Sequence, residues 1–205
     1  MTDHAVVYAI DDDAASRKAV TALVGALGVE AVGFSSAEEF LSAYQGRRPA
    51  VIVTDVRMLG MSGVELQEEL HRRGVAIPVI VMTAYASTQL TVRAMRNGAV
   101  TLLEKPCNEN ELWEAIRDSL AADREAWQLE LQRIDTQARL RLMSEKERQV
   151  LDCMIAGDAN KVTARKLDVS VRTVENHRRK VFEKMGVDSV AELVRLVLLA
   201  EPGES

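Results

Sequence analysis

Four short runs rich in β-branched residues each stop abruptly on a charged or hydroxyl-bearing side chain, and that repetition limits the fold more than any other feature. Val6-Val7-Tyr8-Ala9-Ile10 meets Asp11-Asp12, and Val51-Ile52-Val53-Thr54 ends on Asp55. Val79-Ile80-Val81-Met82 meets Thr83, and Ala99 to Leu103 meets Glu104-Lys105-Pro106. Apolar runs of this length read as strands buried on both faces of a parallel sheet. In open α/β sheets, ligands and chemistry collect beyond the carboxyl ends of the strands. Three carboxylates (Asp11, Asp12, Asp55), the Thr83 hydroxyl and the Lys105 ammonium are therefore expected at one edge.

Between these runs the periodicity turns helical. Val20, Leu23, Val24 and Leu27 mark a helix over about 14–27, with Gly28 as its C-terminal cap. Ala31 to Ser35 is a further short strand. Ser36-Ala37-Glu38-Glu39 and Ser62-Gly63-Val64-Glu65 have the capping-box pattern that opens helices, a fourth helix runs from about Ser87 to Asn97, and Asn108 caps a fifth. This alternation predicts a doubly wound parallel five-stranded sheet covered by helices on both faces.

No Gly or Pro then interrupts the chain before Gly157. Trp127, Leu131, Ile134, Ala138 and Leu142 form one apolar stripe, predicting a single helix over about 108–140 whose second half is a linker. Beyond it every segment is helical: Ser144-Glu145-Lys146-Glu147 opens one helix, and another covers about 160–167. Asp168-Val169-Ser170 is a tight turn into a helix over about 171–185, and Ser189 opens the last. Two short helices joined by a tight turn, the second one basic, make a helix-turn-helix. The expected domains are residues 1–122, a helical linker over 123–141, and an all-α four-helix domain over 142–205.

At 205 residues the chain is long enough for one large domain or two small ones, and 47% hydrophobic with 28% charged is ordinary for a soluble globular protein. No apolar run approaches a membrane span, and no basic-then-apolar leader opens the chain, so no membrane partner is expected. Cys107 and Cys153 fall in different expected domains, which fits reduced thiols and a cytoplasmic address. The net charge of −5 is uneven: residues 1–120 hold 11 Lys/Arg against 16 Asp/Glu, whereas Arg172–Lys184 holds five against two. An acidic front half and a basic helix behind it imply two jobs.

Clustered carboxylates repel one another unless a cation neutralises them. Magnesium suits such a group, since it takes one or two carboxylates, keeps waters and then meets phosphate oxygens. A carboxylate can also attack phosphorus and form an acyl phosphate, stabilised by the metal, an ammonium and a hydroxyl. In this pattern the front of the chain, about residues 4–122, resembles the receiver domain of two-component response regulators, of CheY-like (flavodoxin-like) fold. The resemblance implies Asp55 as phosphoacceptor, Asp12 as direct ligand of Mg²⁺ (or Mn²⁺), Asp11 as a water-mediated one, and the backbone carbonyl of Arg57 completing the set. It implies Thr83 as the switch hydroxyl and Lys105, before a cis bond to Pro106, as the phosphate-binding lysine. Helix capping by the three aspartates explains neither Thr83 nor Lys105. A phosphatase of the haloacid dehalogenase type would need an acid two positions after Asp55, where Arg57 stands. Leu59, Leu102 and Cys107 depart from the receiver pattern, which commonly has Pro, an aromatic and Phe there.

The stretch from about Leu142 to Leu199 resembles the LuxR-type DNA-binding module, and the layout resembles the FixJ/NarL class of response regulators. Glu175, Asn176 and Arg179 face away from Val174, Val181 and Met185, and can read base edges in the major groove. Lys161, Thr173 and His177 are expected on phosphates, together with Arg178, Lys180 and Lys184. The resemblance implies a histidine kinase as phosphoryl donor, a double-stranded operator, a homodimer when phosphorylated, and RNA polymerase as a further partner. The receiver is expected to pair near its fourth helix and fifth strand, and the output domains through Leu193, Leu196 and Val197 of the last helix. The competing reading is a phosphorylation-independent DNA-binding protein whose receiver fold serves only to dimerise.

Overall fold

The structure is a computed structural model and describes residues 5–200. The chain divides into two compact units, Met1–Trp127 and Gln128–Ser205.

In the first unit, strands β1 (Val6–Ile10), β2 (Glu30–Phe34), β3 (Ala50–Asp55), β4 (Val79–Thr83) and β5 (Ala99–Glu104) form one parallel sheet in the order β2-β1-β3-β4-β5. Helices α1 (Ala14–Ala26), α2 (Ala37–Ala43), α3 (Gly63–Arg72) and α4 (Thr88–Arg96) connect them. Successive strand residues point to opposite faces, so each strand feeds two cores. Ile10, Ile52 and Val81 pack with Phe40, Val64 and Leu70 on one face. Val7, Val53 and Ile80 pack with Val24, Leu112 and Ile116 on the other. The strand order reverses between β1 and β3, which opens a crevice at their carboxyl ends.

Local signals act where the sequence places them, with one exception. Ser62 and Ser144 each complete a capping box with Glu65 and Glu147. Ser36 accepts from the Glu39 N–H, but the Glu39 carboxylate turns to the N–H and hydroxyl of Ser35, so that box stays half closed.

Helix α5 (Glu109–Arg141) is continuous, as its unbroken periodicity predicts. Its Asp123 is 2% exposed, accepts from the Arg48 guanidinium through two bonds, and accepts from the Ala50 N–H at 2.8 Å. Arg48 also lies 5.4 Å from the centre of the Trp127 ring. Asp123, expected in the linker, is therefore fastened to the first residue of β3, and Trp127 lies against Arg48 just before that strand. Of the apolar stripe, Leu131, Ile134 and Leu142 are exposed.

The second unit adds α6 (Glu145–Ile155), α7 (Asn160–Leu167), α8 (Val171–Met185) and α9 (Val190–Ala200). Helix α7 ends on Asp168 in the left-handed region, and Ser170 caps α8 by accepting from the Thr173 N–H. Helix α8 packs against α6 and α7. Leu193, Leu196 and Val197 were expected to pair two copies, but they are buried in this unit's own core with Leu151, Met154 and Val181. The apolar face of α9 is needed to close a small core, which leaves Leu198 as its exposed large apolar residue. Lys184 is likewise committed internally: its ammonium lies 2.6 Å from the Glu147 carboxylate and 2.9 Å from the Leu142 carbonyl. The Lys184 hydrogen bond, aided by the Ser144 N–H, holds the Glu147 carboxyl down at about 2.

Two predictions follow from this packing. A Cβ at Gly63 would lie 2.3 Å from the Asp55 carbonyl oxygen, whereas one at Gly25 would meet nothing within 4 Å. Gly63→Ala should therefore cost about 1–3 kcal/mol in chemical denaturation, while Gly25→Ala should be neutral or gain up to about 1 kcal/mol. Lys184→Met should destabilise the second unit by about 1–3 kcal/mol, because it leaves a buried carboxylate short of a donor. Since the folded Glu147 value lies below the ordinary 4.5, its stabilisation is complete above that pH and fades as pH falls towards about 2. The gap between wild type and Lys184→Met should narrow over that interval, and a gap constant from pH 6 to pH 3 would contradict the assignment.

Candidate functional site

The carboxyl ends of β1, β3, β4 and β5 deliver Asp11, Asp55, Thr83 and Lys105 to one edge of the sheet. The Lys105 ammonium lies 2.6 Å from Asp11 Oδ2 and 2.6 Å from Asp55 Oδ1. Both carboxylates are more than nine-tenths buried, and Lys105 is half-buried. Burial alone would push the Lys105 ammonium down, but its hydrogen bonds to Asp11 and Asp55 outweigh that and hold it above its ordinary value. Backbone donors hold the remaining oxygens: the Asp13 N–H reaches Asp11 Oδ1 at 2.9 Å, and the Arg57 N–H reaches Asp55 Oδ2 at 2.6 Å. Lys105 precedes a cis bond to Pro106, and its N–H bonds the Thr83 carbonyl at 2.7 Å.

Two expected members stand differently. Asp12 is exposed, and its Oδ2 accepts from the Leu59 N–H at 3.0 Å, which ties it to the loop after β3. Among the described residues, no group of three His, Cys, Asp or Glu side chains closes round one point. Asp11 is thus the carboxylate that shares a partner with Asp55, while Asp12 sits at the rim. Thr83 is 1% exposed, and its hydroxyl bonds the backbone of Tyr85, as donor and as acceptor, rather than either carboxylate. The Arg57 side chain is exposed, with its guanidinium 5.9 Å from the centre of the Tyr85 ring.

The donor set suits a hard cation that keeps part of its water. Two carboxylates beside each other, a third at the rim and a backbone carbonyl are oxygen ligands of the type magnesium takes. Each carboxylate oxygen here has one hydrogen bond and retains a lone pair. Burial pushes the Cys107 thiol up, away from the reactive thiolate.

Sequence reasoning missed several residues on which this edge depends. Asp13 caps α1 while presenting its N–H to Asp11. Arg17, one turn into that helix, donates to the Asp11 carbonyl. Gly63 lets α3 begin against the backbone of Asp55. The capping position of Asp13 was legible in principle, whereas nothing in the spacing announces Arg17 or Gly63.

In the second unit, Glu175, Asn176, Arg179 and Lys180 are exposed along α8, and Lys161 is exposed on α7. Thr173, His177 and Arg178 are half-buried beside them. Val174, Val181 and Met185 form the inward face as expected, each at 0% exposure. The Ser170 hydroxyl lies 2.8 Å from that of Thr173. Lys184, expected with the phosphate-facing residues, is exposed and pairs with Glu147 at 2.6 Å.

Comparison with known proteins agrees with both halves. Residues 7–117 match the response regulator receiver domain, and residues 141–197 match the bacterial regulatory proteins of the luxR family. The chain is 42% identical over 200 residues to the transcriptional regulatory protein FixJ of Azorhizobium caulinodans, covering 98% of this chain and 95% of that one. It is 38% identical to FixJ of Bradyrhizobium diazoefficiens, with 98% of each covered. Among solved structures, the response regulator StyR superposes with a TM-score of 0.88 at 35% identity, over 95% of this chain and 98% of that one. Full-length FixJ from B. japonicum gives 0.59 at 38% identity, over 97% and 98%. The chain belongs to the response regulators, in the FixJ-like group that joins a receiver domain to a LuxR-family DNA-binding domain.

Proposed function

We propose that this chain accepts a phosphoryl group on Asp55 from a sensor histidine kinase and, so modified, binds a specific double-stranded operator as a homodimer to regulate transcription. The observation that carries the reading is the Lys105 ammonium shared by Asp11 and Asp55 at the β1/β3 crevice. It makes Asp55 a buried nucleophile with a cation beside it, where an incoming phosphoryl oxygen needs counter-charge. Thr83 supplies a hydroxyl one strand away, free to leave the Tyr85 backbone for that oxygen. Receiver domains generally bind Mg²⁺, and Asp11, Asp12, Asp55 and the Arg57 carbonyl are the groups that would hold it, or Mn²⁺, here. When bound, the ion supplies positive charge to the transferring phosphoryl group. The chain is a regulator rather than a conventional enzyme, and the reaction it assists is transfer to, and hydrolysis from, its own Asp55.

The receiver spans about 1–122, a helical linker 123–141 and the DNA-binding domain 142–205, with Arg48, Asp123 and Trp127 extending receiver contacts into the linker's first turn. On α8, Glu175, Asn176 and Arg179 read bases. Lys161, Thr173, His177, Arg178 and Lys180 hold phosphates and set the register. Phosphorylation biases an equilibrium between two arrangements rather than building a new fold. No helix of the described residues is long and apolar enough to cross a membrane, in keeping with a cytoplasmic site of action, and RNA polymerase is the natural further partner.

Asp55→Asn should abolish labelling by acetyl or carbamoyl phosphate, and undiminished labelling would remove the phosphoacceptor assignment. Beryllofluoride with Mg²⁺ should tighten operator binding; equal affinity with and without it would favour a receiver fold that serves only to dimerise. Arg179→Ala should relax base preference at one operator position by about 1–3 kcal/mol. Lys161→Ala should weaken all sequences alike and reduce the salt slope by about one. Identical footprint profiles for the two variants would contradict the division between base and phosphate contacts.

A further inference from the structure

Helix α8 carries the residues proposed to read bases, yet its far end is held from outside the helix-turn-helix. The last carbonyls of a helix have no partner within it. On α8 the Gly186 and Val187 N–H groups both turn back to the Phe182 carbonyl, and the Met185 carbonyl accepts instead from the Arg139 guanidinium. Arg139 belongs to the last turn of α5, two positions ahead of residues 141–197 that match the luxR family. A cation placed there also meets the negative end of the α8 dipole.

Two further contacts fix where this guanidinium lies. Its Nη2 pairs with Asp135, one turn back on α5, at 2.8 Å, so the planar fork spans two helices. Gly186 has a left-handed backbone (φ 66°), and a Cβ there would lie 2.6 Å from Arg139 Nη1. The guanidinium thus fills space that a glycine leaves. The contact is also returned. Lys184, in the last turn of α8, donates to the Leu142 carbonyl just beyond α5 at 2.9 Å, and Arg148 donates to that of Leu140 at 2.6 Å. The ends of α5 and α8 therefore cap each other.

We propose, on the reading of α8 as the base-contacting helix, that Arg139 is a positioning residue for operator recognition. The last turn of the linker helix then sets how α8 presents Glu175, Asn176 and Arg179. Those side chains stand six to ten residues before Met185, about 9–15 Å along the axis. Hydrogen bonds to base edges need their partners within about 0.5 Å and 10–20° of the productive geometry. A tilt of α8 about its N-cap at Ser170 therefore removes base contacts first. Phosphate contacts, made by long side chains and by charge, survive it. Arg139 acts without touching DNA.

The full chain, with beryllofluoride and Mg²⁺, is titrated onto two duplexes of equal length at one salt concentration. One is selected from a random library by the wild type, and the other is its scrambled sequence. Arg139→Met should lower the ratio of the two affinities by about tenfold or more, with affinity for the scrambled duplex within about twofold of wild type. Arg139→Lys keeps a donor for the Met185 carbonyl and should hold the ratio to within about threefold of wild type. Gly186→Asn tolerates the left-handed backbone but sets a Cβ against the guanidinium. It should lower the ratio as Arg139→Met does, and the double variant should lose no more than either alone. A lower melting temperature with an unchanged ratio would make Arg139 a brace of the fold only and overturn the proposal. So would an Arg139→Lys variant as impaired as Arg139→Met. A wild type that selects no sequence would remove base reading by α8 and this proposal with it, whereas one that selects a sequence while Arg139→Met keeps its ratio overturns this proposal alone. Should Arg139→Met fail to fold, Gly186→Asn decides by the same threshold.

Discussion

One ammonium group between two buried carboxylates holds the working edge of the sheet together. Asp11 and Asp55 end neighbouring strands, and two negative charges so close inside a protein would drive one of them to take up a proton. Lys105, from the far side of the sheet, offsets that repulsion with a cation 2.6 Å from each. The topology is what brings the three together: reversal of strand order between β1 and β3 puts the aspartates side by side, and β4 and β5 carry the lysine round to them. The same arrangement leaves Asp55 buried with a cation against one oxygen and a backbone N–H against the other.

The second unit relies on a comparable pairing used for another end. Lys184 and Glu147 are 37 positions apart, and their contact fastens the C-terminal turn of α8 to the capping box of α6. The turn of α8 that lies farthest from its N-cap is thereby fixed, while Glu175, Asn176 and Arg179 stay exposed. The basic helix thus divides its charge between holding the domain and facing a partner.

Much of this was legible in the sequence because the signals are local. Periods of two and of about 3.6, serine caps and left-handed glycines bound each strand and helix to within a residue or two, and polar groups at strand ends point to the sheet's edge. Spacing says which face of an element a side chain occupies but not what lies across from it. Asp11 and Asp12 illustrate this: the sequence expectation made Asp12 the direct metal ligand and Asp11 the water-mediated one, and it could not show that Asp11 meets Lys105 while Asp12 meets the Leu59 N–H. The pairing of Lys184 with Glu147 stayed hidden for the same reason, because Glu147 lies too far along the chain to be seen. Leu193, Leu196 and Val197 show the converse, a correct apolar face assigned to the wrong neighbour.

The fastening of Asp123 to Arg48 and to the Ala50 N–H bears on where the receiver can be cut. A fragment ending at residue 122, the border expected from the sequence, would leave the Arg48 guanidinium and the opening amide of β3 without their shared acceptor. A truncation that drops Asp123 therefore removes the acceptor shared by Arg48 and the first residue of β3.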